Sequence, residues 1–310
     1  MKSLTARRRL LPLLLALIAA LLTQATVLAA APSPSSFPVT VRTANGAVTF
    51  SKAPQRIISL SPSATEDLFA VGAGKQVVAV DPYSSYPKTA PRTKLSGFTP
   101  NIEAIAGYRP DLVVISNDMN HIVAQLGKLH IPVLVEPAPA DLTAAYAEIV
   151  QIGQATGQAS EAARVVAGMK RQVTKIVASV PKPTKPLSVY HELDPTYYSA
   201  TSRTFIGQMY TLLGIQNVAD KASGTGDYPQ LSGEYIIASS PDLIVLADTV
   251  CCGQKRSTVA ARPGWGSITA VRTGSIVAID DSIASEWGPR VVLFLKAVAS
   301  ATKTLAAAQK

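Results

Sequence analysis

One pattern occurs twice in this chain, as NIEAIAGYRPDLVVI at residues 101–115 and as SGEYIIASSPDLIVL at residues 232–246. Each copy begins with apolar residues at helical spacing, breaks at Pro-Asp, and continues as a short apolar run that is typical of a buried strand. The proline ends the helix, and the aspartate can accept hydrogen bonds from turn amides before the strand. The apolar positions of both copies suit packing between a helix and a sheet. The repeat therefore predicts two similar α/β lobes.

Short apolar strands alternate with helices on both sides of one strand-free segment. The first half opens with VTVRTANGAVTF, which predicts a hairpin around Asn45-Gly46, and then contains RIISL, VVAVD, DLVVIS and PVLVE. The second half contains LSVYHEL, DLIVLAD and SIVAID. Between them, residues 141–180 show only helical spacing, with a turn expected around Gly153–Gly157, and PKPTKP ends that segment. Strands rich in Val, Ile and Leu that alternate with helices indicate parallel sheets. The predicted fold class is α/β, with two Rossmann-like lobes of parallel sheet joined by a single long backbone helix and a ligand cleft between the lobes.

The N-terminus has the order of a secretory signal, because basic residues and an apolar run precede small residues. An exported, periplasmic or extracytoplasmic location is expected, with an uncleaved N-terminal anchor as the alternative. No cysteine precedes position 251, so a lipoprotein is not expected. The expected segments are a signal peptide at 1–30, a Pro/Ser-rich tether at 31–38, an N-terminal lobe at 39–140, a linking segment at 141–181 with its backbone helix at about 158–179, and a C-terminal lobe at 182–310.

Charge and motifs argue against nucleic-acid binding and catalysis. The net charge is +9, and the predicted signal holds four of the 29 basic residues, which leaves 25 against 20 acidic residues. This mild excess is spread along the chain, whereas nucleic-acid binding needs a clustered basic face. The three histidines lack metal-ligand spacing, and the chain has no GxSxG or phosphate-loop motif. We therefore expect no enzyme activity, no metal and no cofactor.

A glutamate occupies the same position in both copies of the repeat, as Glu103 and Glu234. An acidic residue in the first turn of a helix stabilises it by about 0.3–1 kcal/mol through the helix dipole. That structural role is sufficient for either residue alone. Two lobes related by pseudo-symmetry would also present two carboxylates on one face, which could engage two basic residues of a symmetric partner.

Four segments in order resemble the periplasmic binding proteins of ABC importers for vitamin B12 and iron complexes. They are RIISLSPSATEDLFAVGAGKQVVAVDPYSSYP, SGFTPNIEAIAGYRPDLVVI, YPQLSGEYIIASSPDLIVL and WGPRVVLFLKAVA. The resemblance covers about residues 54–305 and is greatest to the vitamin B12-binding members. It implies a monomeric protein of two lobes with a ligand between them. It also implies that Glu103 and Glu234 dock onto arginines of a dimeric permease with its ATPase.

The loops after the predicted strands carry the candidate ligand-binding residues, because ligands bind beyond the carboxyl ends of parallel strands. Aromatic side chains with a few polar groups suit a large, partly flat ligand. By resemblance, Tyr83, Phe98, Tyr198, Tyr228 and Arg290 fall at ligand positions of the family, and Asn117 falls near another. Trp287 is an aromatic residue that the family pattern lacks there. The predicted ligand-binding residues are Tyr83, Tyr86, Phe98, Asn117, Tyr198, Tyr228, Cys251, Cys252, Trp287 and Arg290.

The adjacent Cys251 and Cys252 form either a vicinal disulfide, which would place a stiff apolar ledge beside the ligand, or two free thiols. The predicted ligand is a corrinoid resembling vitamin B12. A ferric siderophore or haem is the alternative, because Arg203 and Arg290 would suit an anionic iron complex. A membrane-tethered sensor built from the same lobes is a further alternative.

Overall fold

The computed structural model describes residues 37–222 and 226–309. The predicted signal peptide and nearly all of the predicted tether lie outside the described residues. The described chain opens with a hairpin of strands β1 (Val39–Thr43) and β2 (Gly46–Phe50), which pair antiparallel. Gly46 lies in the turn with a φ of 107°, a conformation that glycine adopts without steric cost. The hairpin expected around Asn45-Gly46 is therefore confirmed.

The first parallel sheet follows the hairpin. Its elements are β3 (Ile57–Leu60), α1 (Pro62–Ala70), β4 (Val77–Val80), α2 (Ile102–Gly107), β5 (Leu112–Ile115), α3 (Ile122–Lys128) and β6 (Val133–Val135). The four strands pair in the order β4-β3-β5-β6. Every residue of β3 and β5 is buried, because helices or loops cover both faces of the sheet.

Two helices link the sheets, α4 (Leu142–Thr156) and α5 (Ala159–Ala178). Gly157 joins them with a φ of 80°. The sequence indicated a wider turn from Gly153 to Gly157, but α4 continues through Gly153. A Cβ at Gly153 would lie 2.3 Å from Cβ of Ala162, so this glycine allows α4 and α5 to approach closely. The turn prediction was wrong there because close packing and turn formation both favour glycine.

The second parallel sheet fills the remaining chain. Its elements are β7 (Ser188–Glu192), α6 (Phe205–Leu212), β8 (Gln216–Asn217), α7 (Gly233–Ser239), β9 (Leu243–Leu246), α8 (Arg256–Ala260), α9 (Thr269–Arg272), β10 (Ile276–Ala278), α10 (Asp281–Ser285) and α11 (Val291–Ala308). The strands pair in the order β10-β9-β7-β8. The predicted α/β class with two parallel sheets is confirmed, whereas the short helices α8, α9 and α10 were not expected from the sequence.

The two sheets share one apolar core through the helices between them. The cluster includes Leu68 of α1, Ile149 of α4, Met169 of α5, Val245 of β9 and Phe294 of α11. Within the described residues, α11 is the one helix long and apolar enough to cross a membrane, but its buried side chains pack in this core. The shared core favours limited movement of one sheet relative to the other.

The repeated aspartates clamp neighbouring strands. Asp111 accepts hydrogen bonds from the backbone N–H of Gln55 at 2.8 Å and of Arg56 at 2.7 Å, directly before β3. Asp242 accepts from the backbone N–H of Ser188 at 2.8 Å, at the start of β7. The prediction had these aspartates bond to turn amides of their own copy. The structure shows that they join two strands of one sheet, which explains why both lobes retain the residue.

Candidate functional site

A cavity of about 750 Å³ lies where the carboxyl ends of the two sheets meet. Several lining residues come just after strands of both sheets: Asp81 follows β4, Ser116 follows β5, Ala247 follows β9, and Asp280 lies two residues after β10. Ligands of parallel α/β sheets bind at this edge because the loops there diverge and leave a crevice. The full lining is Leu60, Pro62, Asp81, Pro82, Tyr83, Ser85, Gly97, Phe98, Ser116, Asn117, Leu193, Ala247, Val250, Cys251, Asp280, Asp281, Ser282, Ser285 and Glu286.

Two aromatic residues form one wall of the cavity. Tyr83 and Phe98 contact each other edge to face, with ring centroids 5.8 Å apart. Both are about three-fifths exposed, at 63% and 62%. Large apolar side chains exposed in a concave site indicate a surface that a ligand covers.

Asp81 orients the loop that carries Tyr83. Its carboxylate accepts hydrogen bonds from the backbone N–H of Tyr83 at 2.7 Å and of Ser84 at 2.8 Å, both at Oδ1. Burial raises the pKa of Asp81, while these hydrogen bonds oppose the shift. Asn117 lies elsewhere on the wall, and its side-chain Oδ1 has no hydrogen-bond partner within the described residues. A ligand amide or hydroxyl would satisfy that acceptor.

Cys251 and Cys252 are joined as a vicinal disulfide, so the disulfide alternative is the one the structure contains. Cys251 lines the cavity, and Asp281 holds its loop in place. The Asp281 carboxylate accepts hydrogen bonds from the backbone N–H of Cys251 at 2.7 Å and of Val250 at 2.9 Å. Cys252 is exposed and lies outside the cavity lining.

Arg290 and Tyr86 line an adjoining cavity of about 510 Å³ rather than the larger one. The Arg290 guanidinium stacks on the Tyr86 ring at 4.2 Å and pairs with Glu66 and Glu286. Glu286 reaches the larger cavity from this cluster. Burial, and then the neighbouring Glu66, raise the pKa of Glu286 to about 9, so it is protonated at neutral pH. The cluster is thus electrically balanced by Arg290 and one carboxylate.

Three further predicted residues lie away from the larger cavity. Tyr198 and Tyr228 are 41% and 48% exposed and line neither this cavity nor the adjoining one. Trp287 is partly buried against the shared core. Its backbone N–H donates to Oγ of Ser63 at 3.1 Å. The sequence pattern favoured Ser63 or Thr65 as the N-cap of α1, whereas Ser61 is the N-cap, and Ser63 instead accepts the hydrogen bond from Trp287.

His191 lies in β7 and is a core residue that does not line the cavity. The side chain is fully buried, and its Nδ1 lies 2.6 Å from the Tyr210 hydroxyl. Burial lowers the pKa of His191 to about 3, so the imidazole is neutral. Within residues 37–222 and 226–309, no group of His, Cys, Asp or Glu is arranged to hold a metal ion.

The carboxylates of the cavity were missed by the sequence reasoning, which concentrated on aromatic residues. Asp81 is the first residue after β4, and Asp280 and Asp281 are the second and third residues after β10. A search for charged residues at those positions would have found them, because the same rule predicted the aromatic wall.

Glu103 and Glu234 occupy matching exposed positions. Each is the second residue of its helix, α2 or α7. Asn101 and Ser232 cap the two helices by accepting hydrogen bonds from backbone N–H groups at 2.9 and 3.1 Å. Neither glutamate forms an ion pair with a described residue of the chain. Both carboxylates are therefore available to a partner.

Comparisons with known proteins agree with this architecture. A family model described as periplasmic binding protein matches residues 57–283. The chain is 34% identical over 269 residues to the cobalamin-binding protein of Halobacterium salinarum (strain ATCC 29341 / DSM 671 / R1), with 83% of this chain and 72% of that protein covered. It is 32% identical over 266 residues to the uncharacterized ABC transporter substrate-binding lipoprotein YvrC of Bacillus subtilis (strain 168), with 83% and 82% covered.

A solved structure of a heme-binding protein shares the fold. The periplasmic heme-binding protein RhuT from Roseiflexus sp. RS-1, in its apo form, matches with a TM-score of 0.71 and 25% identity. The match covers 81% of this chain and 99% of that structure. Because the family model and these relatives each match most of the chain, the chain belongs to the periplasmic binding protein family.

Proposed function

We propose that this protein is the extracytoplasmic solute-binding subunit of an ABC importer and that it captures a corrinoid in the cavity between its two sheets. The observation that carries the proposal is the cavity of about 750 Å³, whose wall includes the exposed rings of Tyr83 and Phe98. The relative named as cobalamin-binding, at 34% identity, supports a corrinoid over other macrocycles.

The chemistry of the lining suits the periphery of a corrin ring. A corrin carries primary amides whose N–H groups donate hydrogen bonds, and the lining offers acceptors in Asp81, Asp280 and the unpaired Oδ1 of Asn117. The faces of the macrocycle are apolar and suit the two aromatic rings. Capture needs no chemistry from the protein, since binding and release are sufficient for delivery.

Haem is the second candidate, favoured by the match to the heme-binding RhuT structure. Arg203 and Arg290, which suggested an anionic iron complex from the sequence, give less support to haem in the folded chain. Arg203 pairs with Asp227 at 2.8 Å on the surface, and Arg290 pairs with Glu66 and Glu286. Neither arginine lines the larger cavity.

Titration calorimetry tests the proposal directly. Purified protein is titrated with cyanocobalamin, haemin and a ferric siderophore under one buffer condition. We expect one molecule of cyanocobalamin to bind per chain at micromolar concentration or below. Heat from haemin or the siderophore with none from cyanocobalamin would overturn the corrinoid assignment.

Delivery would use the two exposed glutamates. We infer that Glu103 and Glu234 contact basic residues of a permease dimer, because equivalent positions on two similar lobes match a partner with two similar halves. Exposed carboxylates contribute to encounter rate and orientation more than to ligand capture. Docking and ligand binding are therefore separable by mutation.

A further inference from the structure

The charged residues that line the larger cavity are all acidic. Asp81, Asp280, Asp281 and Glu286 face it, and among the described residues no Lys, Arg or His does. Burial and the nearby Glu66 hold the pKa of Glu286 near 9, so its charge is absent at neutral pH. The three aspartates remain as candidate sources of negative potential. The charge of these aspartates is opposite in sign to that of the whole chain, whose formal net charge is +9.

Two largely buried arginines, Arg290 and Arg262, have carboxyl partners within the chain. Arg290 is held by Glu66 and Glu286, and its guanidinium belongs to the adjoining cavity. The Arg262 guanidinium donates two hydrogen bonds to the carboxylate of Glu192, with N–O distances of 2.6 and 2.7 Å. Because these guanidinium groups are held by carboxylates of their own, they do not offset the aspartates of the cavity.

The hydrogen bonds of the aspartates are local and leave acceptor capacity toward the cavity. Asp280 accepts from the backbone N–H and hydroxyl of Ser282 at 2.9 and 2.6 Å, both at Oδ1. Asp81 uses its Oδ1 in the same way toward Tyr83 and Ser84. In both residues the hydrogen bonds from the loop engage one carboxylate oxygen, so the negative charge is oriented but not neutralised.

We propose that this cavity selects among corrinoids by charge, preferring a positively charged corrinoid to a neutral one and a neutral one to a negatively charged one, with Asp81 and Asp280 as the residues that set the preference. The inference rests on the proposed function, since it takes a corrinoid as the ligand. A concave site with apolar walls strengthens the potential of the carboxylates on it, because water screens them less than on an open surface. The same potential disfavours haem, whose two carboxylates are negative.

The test uses three ligands that share one macrocycle. Aquacobalamin at about pH 6 is singly positive, cyanocobalamin is neutral, and a cyanocobalamin monocarboxylate has one peripheral amide replaced by a carboxylate. We expect affinity to fall in that order, with about tenfold between the first and the last at low salt. Raising the ionic strength of the same wild-type protein should compress the ratio.

Substitutions assign the effect to the aspartates. Asp81→Asn and Asp280→Asn keep the Oδ1 acceptor that each loop uses and remove the charge. The ratio between aquacobalamin and the monocarboxylate should fall to about threefold or less in the double variant. Asp141→Asn is the matched control, because Asp141 also caps a helix through Oδ1 and lies outside the cavity lining. It should leave the ratio unchanged.

The outcomes separate this inference from the proposed function. Equal affinities for the three corrinoids, or a ratio that survives both substitutions and high salt, would overturn charge selection and leave corrinoid capture intact. Failure of all three corrinoids to bind the wild-type protein would overturn both.

Discussion

Arg290 and Glu66 are separated by 224 residues in the sequence and form a buried ion pair, with Nε of the arginine 2.5 Å from Oε1 of the glutamate. Glu66 lies in α1 beside the first sheet, and Arg290 directly precedes α11 beside the second. The backbone N–H of Trp287 donates to Oγ of Ser63 across the same junction. The pair thus sets the separation of the two sheets next to the ligand cavity.

Removing this arginine should destabilise the fold strongly. Arg290→Met leaves Glu66 and Glu286 buried without a cation, and breaking a buried pair from one side costs about 3–5 kcal/mol. Urea unfolding followed by circular dichroism measures the loss. Arg203→Met, which breaks an exposed pair with Asp227, is the control and should cost about 1 kcal/mol or less. Equal losses in the two variants would contradict a stabilising junction at Arg290.

Two buried glutamates should make the protein less stable at alkaline pH. Burial raises the pKa of Glu136 to about 9 and of Glu148 to about 8, and burial also raises the pKa of the neighbouring Asp67. Between about pH 4.5, where these groups titrate when unfolded, and about pH 9, the folded chain binds more protons than the unfolded chain. The free energy of unfolding therefore falls as pH rises through this window, by up to about 1.4 kcal/mol per pH unit for each proton.

Unfolding midpoints in urea at about pH 5, 7 and 9 measure this dependence. Glu136→Gln combined with Glu148→Gln removes both titrations and should flatten the profile. Glu286, whose pKa is also about 9, contributes in the same direction and is unchanged in this variant. A wild-type protein as stable at pH 9 as at pH 5 would show that the two glutamates are ionised in the folded state.

The aromatic wall should dominate ligand affinity. Tyr83→Ala or Phe98→Ala removes a ring that the cavity exposes, and each should weaken cyanocobalamin binding about tenfold. Tyr198→Ala and Tyr228→Ala are the comparison, since both rings are exposed outside the lining, and their effect should be about twofold or less. Calorimetry measures all four. Equal effects at the two pairs would mean that the ligand extends over both regions.

Charge reversal at the repeated glutamates should separate docking from capture. Glu103→Arg with Glu234→Arg should abolish ligand uptake in cells that express the importer, because the two introduced arginines would repel basic residues of the permease. Ligand affinity of the purified variant should not change. Glu161→Arg is the control, as Glu161 also lies in a first helical turn, that of α5. Uptake that survives the double reversal would exclude these glutamates as docking contacts.

The vicinal cysteines should be unreactive until the protein is reduced. A thiol reagent applied to the unfolded, unreduced chain should modify neither cysteine, and after reduction it should modify both, since Cys251 and Cys252 are the two cysteines of the sequence. Mass spectrometry measures the count. Modification before reduction would place free thiols beside the cavity.

The repeat and the alternation of strands and helices were sufficient to predict two parallel sheets and the helices between them. Strand patterning, proline and turn chemistry act over a few residues, so they can be read from the sequence. Gly46 illustrates this, because its φ of 107° is demanded by the local hairpin turn. Gly153 shows the limit, since its role depends on Ala162 in the next helix.

Part of the candidate site was also predicted from local sequence patterns. The rule that ligands bind beyond parallel strands, together with the family resemblance, pointed to loops that carry Tyr83, Phe98, Asn117 and Cys251, and these four line the cavity. It did not decide which loop residues point into the cavity. Tyr198 and Tyr228 lie on equivalent loops and face elsewhere.

The sequence by itself determined the order of elements, the repeated helix–strand unit and the equivalent positions of Glu103 and Glu234, because each depends on neighbouring residues. Only the tertiary structure decided the charge of the cavity and the role of Arg290. Those properties depend on packing between residues more than 200 positions apart, as Glu66 and Arg290 show. The Arg290 guanidinium, which suggested an anionic ligand, is held by Glu66 and Glu286 of its own chain, and the charged residues that line the cavity are acidic.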